Sequence, residues 1–289
     1  MNTRNVLNLG LLVFILVLVL LVVIEPGKNG TIIPTKLTTL QENNIKHILI
    51  QHSNSDIPVE LKKENGQWLM LQPYQLTANQ FRIGSINKLL SAVSLSQNDL
   101  NQLDEKNFGL NKPSATITFN KKLHIVFGHN KSLENHRYVK INSTLHMIAD
   151  TFYYQLIANA ESFIDHKLLP EKSKITQITL PTFKMKNNEG EWSANPAPEN
   201  FSVDKANKLI NEWQLSQAYD VTVNPANKTT SADVTIEFAN KPTLRFKIKE
   251  TKDKFTLSNI DNGVSYILTP ERKNKLLLLQ SESDGDGEN

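Results

Sequence analysis

Two stretches of this 289-residue chain carry nearly the same letters about 120 positions apart, and that spacing limits the fold more than any other feature. Asn87-Lys88-Leu89-Leu90 recurs as Asn207-Lys208-Leu209-Ile210, and Leu95-Ser96-Gln97 recurs as Leu215-Ser216-Gln217. The flanks follow in the same order. Ile45, Ile48 and Ile50 correspond to Ile175, Ile178 and Leu180, Gly66-x-Trp68 to Gly190-x-Trp192, and Ile117 and Phe119 to Ile236 and Phe238. An order that never breaks predicts two copies of one supersecondary unit.

Local pattern says what the unit contains. Ile57, Val59 and Leu61 alternate with polar neighbours, which predicts a half-buried strand, and Asn65-Gly66 is a hairpin turn. Thr77 with Gln80 reads as a capping box opening a helix with Ile83, Ile86, Leu90 and Val93 on one face. Residues 99–108 predict a second short helix, ended by Gly109. Two strand pairs follow, residues 114–119 with 123–127 and residues 137–141 with 144–148, and Asp150 then caps a helix bearing Phe152 and Leu156. The expected fold class is α+β: an N-terminal transmembrane helix, then a tandem repeat of two antiparallel-sheet-plus-helix units, residues 44–170 and 171–280. Trp68 and Trp192 are expected to be matched core anchors.

The transmembrane expectation comes from residues 6–24, nineteen apolar residues broken only by Asn8 and Gly10. As a helix they reach roughly 28 Å, against about 30 Å of bilayer hydrocarbon, with no polar stripe. Small residues at a cleavage spacing are missing, so the segment reads as an uncleaved anchor. Arg4 ahead of it keeps residues 1–5 in the cytoplasm, leaving the bulk in the periplasm or its equivalent. Residues 25–43, with Pro26, Gly27, Gly30 and Pro34, read as a tether, and residues 281–289 as a disordered acidic tail. The chain has no cysteine, which excludes disulfides and lipoprotein processing.

Signals for chemistry are few. The 32 Lys and Arg against 29 Asp and Glu give a diluted net charge of +3, which does not point to nucleic acid. His124, His129, His136 and His146 lie close in sequence but show neither HExxH nor CxxC spacing, so they read as ordinary surface histidines and no metal is expected. Asp165-His166 reads as linker. Without a G-x-S-x-G elbow, a P-loop or a G-x-G-x-x-G turn, no catalytic residue and no cofactor is expected; the chain reads as a non-enzyme, with a hydrolase the least favoured alternative.

One ordered series of short boxes remains: Phe108-Gly109-Leu110 followed by Pro113, then Phe127-Gly128, Arg137-Tyr138-Val139, Asp150-x-Phe152-Tyr153 and Leu168-Leu169-Pro170. The series resembles the bacterial family known as domain of unknown function 4340, closely over residues 37–170 and more loosely beyond. The resemblance implies an envelope protein of the bacterial inner membrane, and some members resemble auxiliary subunits encoded with ABC-type export systems. It brings no catalytic residue, and Phe108, Gly109, Leu110, Pro113, Gly128, Arg137, Tyr138 and Asp150 carry no role with it. Physically, Gly109 would end a helix, Leu110 pack back, and Pro113 start an edge strand. The expected function is a non-catalytic scaffold or auxiliary subunit of an envelope membrane complex, with ABC transporter subunits among the candidate partners. The alternative is a module binding an envelope glycan or lipid between the repeats.

Overall fold

Antiparallel strands, far more than helices, carry this chain. The structure, a computed structural model, describes residues 3–24, 35–131, 135–224 and 231–280, with side chains in the first stretch from residue 9 to 20. Among these residues the strands form three sheets. A nine-stranded sheet runs in the spatial order Leu76–Thr77, Gln67–Gln72, Ser55–Glu64, His47–His52, Ala115–Phe119, Leu123–Lys131, His136–Ile141, Thr144–Ala149, Ser96–Asp99. An eight-stranded sheet runs Glu191–Asn195, Lys184–Asn188, Ile175–Thr179, Val234–Phe238, Leu244–Glu250, Phe255–Asn259, Val264–Leu268, Asp220–Val223. The third is the short pair Thr35–Lys36 with Val93–Ser94. With Leu76–Thr77 set aside, the two large sheets have the same strand order. Trp68 and Trp192 sit on matching strands and both are buried.

The strands form where side chains alternate and turn where the backbone can reverse. Val59 and Leu61 are buried while Glu60 and Lys62 point away, the period of a strand with one face on a core. Asn65 and Gly66 adopt the left-handed conformations that the hairpin turn needs.

The expected α+β class gives way to a mainly β fold, because most of the expected helices are short or take another form. The first helix is capped by Asn79, whose Oδ1 accepts from Arg82 N at 3.0 Å, and not by Thr77. It runs only Gln80–Asn87, and the Gln80 amide bonds backbone atoms of Trp68 and Ala78. Ile83, Ile86 and Leu90 are buried as expected, whereas Val93 leaves the face and is exposed in the short strand pair. Residues 99–108 form no α-helix but two 3-10 turns, Leu100–Gln102 and Glu105–Phe108, with Asp99 and Asp104 accepting from Asn101 N and Lys106 N. Short acidic and amide side chains that bond their own backbone favour such turns over continued helix. Asp150 caps nothing, and the helix after it is one turn, Tyr153–Leu156. Pro113 precedes Ala115–Phe119, a central strand and not an edge one; standing before the strand, it removes no ladder bond.

The N-terminal helix extends Thr3–Ile24. No helix among the described residues is long and apolar enough to cross a membrane, which corrects the transmembrane reading of residues 6–24. Of the expected tether, residues 25–34 lie outside the described residues, as does the acidic tail 281–289, while Leu37 is buried in the core.

One hydrophobic core runs from Leu37 to Leu279 through both units. In the second unit the helix Val203–Leu215 buries Ala206, Leu209, Ile210 and Trp213, and Trp213 Nε1 donates to Leu276 O at 2.8 Å. The segment between the units is bonded to both. Asn79 N donates to Phe163 O at 2.8 Å and Asp165 N to Thr77 O at 2.9 Å on one side; Leu168 N donates to Ser216 O at 3.2 Å and Ala218 N to His166 O at 2.9 Å on the other.

Candidate functional site

Seven of the eight family-motif positions converge on one place in the nine-stranded sheet, a β-bulge. Arg137 pairs with Asn130 and Val139 with Phe127, so Gly128 and His129 together oppose Tyr138. A bulge withdraws a residue from the ladder and bends its strand. On the core side, Arg137 Nη1 donates to Gly128 O at 2.6 Å, and Arg137 Nε and Nη2 donate to the two Asp150 carboxylate oxygens at 2.6 and 2.9 Å. Asn130 also donates to Asp150, and the Arg137 guanidinium lies 3.6 Å from the Tyr153 ring centroid. The Arg137 and Asp150 side chains are only 8% and 1% exposed.

On the other side of the same strands, Tyr138 meets Phe108 edge-on with ring centroids 5.0 Å apart, and Leu110 packs with Leu100 and Leu145. Gly109 holds φ +69°, the left-handed end of the turn Glu105–Phe108. A Cβ on Gly128 would lie 2.1 Å from Phe108 O, so backbone rests directly on backbone there. The motif therefore builds a brace: a short turn clamped on one face of the sheet and a buried ion pair on the other. Pro113 stands apart, ahead of its strand. Arg137 and Asp150 are buried, whereas Phe108 and Tyr138 are half-buried and Asn130 is exposed.

A second constellation lies between the units, where a cleft of about 270 Å³ is lined from both sheets and the connecting segment. Its walls include Leu76, Leu168, Leu244 and Val264, and its polar groups include Gln67, Thr77, Asp165, Asn262 and Tyr266. Asp165 is placed by its own backbone bond to Thr77, and among the described residues its carboxylate accepts from one donor, Lys167 N at 3.2 Å. Burial pushes the Asp165 carboxyl above the usual carboxylate range, against smaller opposing effects from Lys167 and His166. The Lys167 ammonium points to Glu171 instead. Burial also raises the Tyr266 hydroxyl, and the nearby charge of Asp165 adds to that rise.

Sequence reasoning read Asp165 as part of a linker and passed over Tyr266, which stands about a hundred positions further on. A signal was present: Asp165 is an isolated acid with Phe163-Ile164 before it and Leu168-Leu169 after it, and Tyr266 is the one phenol in an otherwise fully buried strand. A raised folded-state pKa means the ionised form is disfavoured in the fold. Stability from the protonated carboxyl is present below the unfolded value near 3.8 and is lost as pH rises through the raised folded value. Asp165→Asn is therefore expected to raise the melting temperature at pH 7, with the difference shrinking toward zero below about pH 4. Thermal unfolding of both proteins across pH 3.5–7.5 checks it, and a melting temperature lowered at pH 7 would contradict it.

The histidines do not gather. His124 Nδ1 is bonded to Thr118 Oγ1 at 2.8 Å, and His146 Nδ1 to Ser94 Oγ at 3.0 Å, where burial lowers its pKa. Among the described residues no three His, Asp or Glu side chains are placed to hold a metal.

Compared with known proteins, residues 68–236 match a family model described as "Domain of unknown function (DUF4340)". The match covers more than half the chain and crosses from the first unit into the second, taking in the motif positions and Asp165 but not Tyr266. No curated protein and no solved structure matches.

Proposed function

From a chain that belongs to the family described as domain of unknown function 4340, a description that names no reaction, we propose a non-catalytic protein of the bacterial envelope. It serves as a scaffold or auxiliary subunit of a complex at the inner membrane, with its sheets in the periplasm. ABC-type transport is the candidate setting. One observation carries this reading: residues 9–20 are all exposed, and apart from Gly10 every one of them is Leu, Val, Ile or Phe. An apolar surface this continuous needs surroundings that the described residues do not supply, either lipid or another protein. The motif residues support the non-catalytic part, since their polar groups are spent on one another.

Crosslinking in native membranes followed by purification in mild detergent is expected to recover integral membrane partners with the full-length chain. Replacing residues 1–24 with a cleavable signal should abolish that recovery. Isolation of the chain alone in both cases would end the reading.

A further inference from the structure

We propose that the cleft between the two units receives an arginine side chain from a protein partner, with the Asp165 carboxylate as its counter-ion and the Tyr266 hydroxyl oxygen as a second acceptor. This inference rests on the reading that the chain works through a protein partner.

The dimensions suit a side chain. At about 270 Å³ the cleft falls below the roughly 300–1,000 Å³ of pockets that enclose whole small molecules. Leu76, Leu168, Leu244 and Val264 offer apolar walls for a methylene stem, and Asp165 supplies a charge among them.

The electrostatics leave that charge incomplete. Asp165 takes one backbone N–H at 3.2 Å, a weak complement for a carboxylate that could accept several donors. The nearest cation, Lys167, is engaged by Glu171, and the imidazole Nδ1 of His166 is bonded to Ala218 O at 3.0 Å. The Tyr266 hydroxyl has no hydrogen-bond partner among the described residues. Lys167 also lines the cleft and its charge is felt by Asp165, but it forms its ion pair with Glu171, so the half-buried carboxylate has no ion-pair partner of its own among the described residues and an arriving cation would supply one.

Arginine fits better than lysine. Its planar fork can donate to a carboxylate and to a phenol oxygen at once, and it is more weakly hydrated than an ammonium, so it enters a partly apolar slot at lower cost. An aspartate in a specificity pocket selects basic side chains by the same chemistry in trypsin.

The test uses the full-length protein in mild detergent, titrated with N-acetyl-arginine amide and with its uncharged isostere N-acetyl-citrulline amide, binding being read by calorimetry. The arginine derivative is expected to bind at least about tenfold more tightly than the citrulline derivative, and Asp165→Asn to remove that preference. Tyr266→Phe should weaken arginine binding while keeping the charge preference. Because Asp165→Asn is expected to be the more stable protein at pH 7, lost binding cannot be put down to unfolding. Equal binding of the two derivatives, or arginine binding that survives Asp165→Asn, overturns the inference. Membrane crosslinking separates it from the reading beneath it. Capture of the same partner by wild type and Asp165→Asn alike overturns the arginine slot and leaves the partner reading standing, whereas failure of wild type to capture any partner removes both.

Discussion

Replacing Arg137 with methionine is expected to lower the unfolding free energy by about 3–5 kcal/mol, the usual cost of stranding one member of a buried ion pair. Three donations go at once: two to Asp150 and one to the Gly128 carbonyl that the bulge leaves for it. The Tyr153 ring also loses its cation. Asp150, 1% exposed, keeps only the Asn130 amide as a side-chain donor. The eight-stranded sheet shows how the same place is built without charge. Arg137 pairs across to Ile148 and Phe255 to Leu268, at matching points of matching strands, and Phe255 is fully buried. The double replacement Arg137→Met with Asp150→Leu is therefore expected to recover most of the loss, since an apolar pair of similar volume often substitutes for a buried salt bridge. Urea unfolding of the wild type, both single variants and the double variant measures the coupling. A single variant that costs under about 1 kcal/mol would show the pair to be no more than a surface bridge.

Gly128→Ala is expected to cost stability in the upper part of the roughly 1–3 kcal/mol range for overpacking. The added Cβ would meet Phe108 O at 2.1 Å and Leu110 Cδ2 at 3.1 Å, and a backbone carbonyl cannot swing aside as a side chain can. The turn Glu105–Phe108 must lift off the sheet, taking the Phe108–Tyr138 contact with it. Hydrogen exchange should show faster exchange confined to residues 104–110 and the strands beneath, at a denaturant concentration where the rest of the fold is intact. Uniform protection across that segment would mean the clamp relaxes without cost.

Much of the local architecture is legible in the sequence because its causes are local. Alternation at Val59 and Leu61 and the Asn65-Gly66 reversal depend on residues within a few positions of one another. The helices were less legible. Residues 99–108 have apolar spacing that suits a helix, but Asp99 and Asp104 bond the backbone two residues on, and turns result. Asp150 looks like a cap by its position before an aromatic run, yet a carboxylate beside a buried guanidinium gains more from the pair than from a single turn of helix.

What the sequence determined by itself was several of the strands in the first unit, their hairpin turns, the correspondence of positions about 120 residues apart, and the family, because periodicity, turn chemistry and ordered motifs are properties of neighbouring residues. Only the tertiary structure decided that the fold is mainly β, that Arg137 and Asp150 brace a bulge, and that Asp165 and Tyr266 share a cleft between two sheets. Those outcomes depend on which strands lie side by side and on how far each charge is withdrawn from water. Residues far apart in the chain settle both, and no local pattern records them.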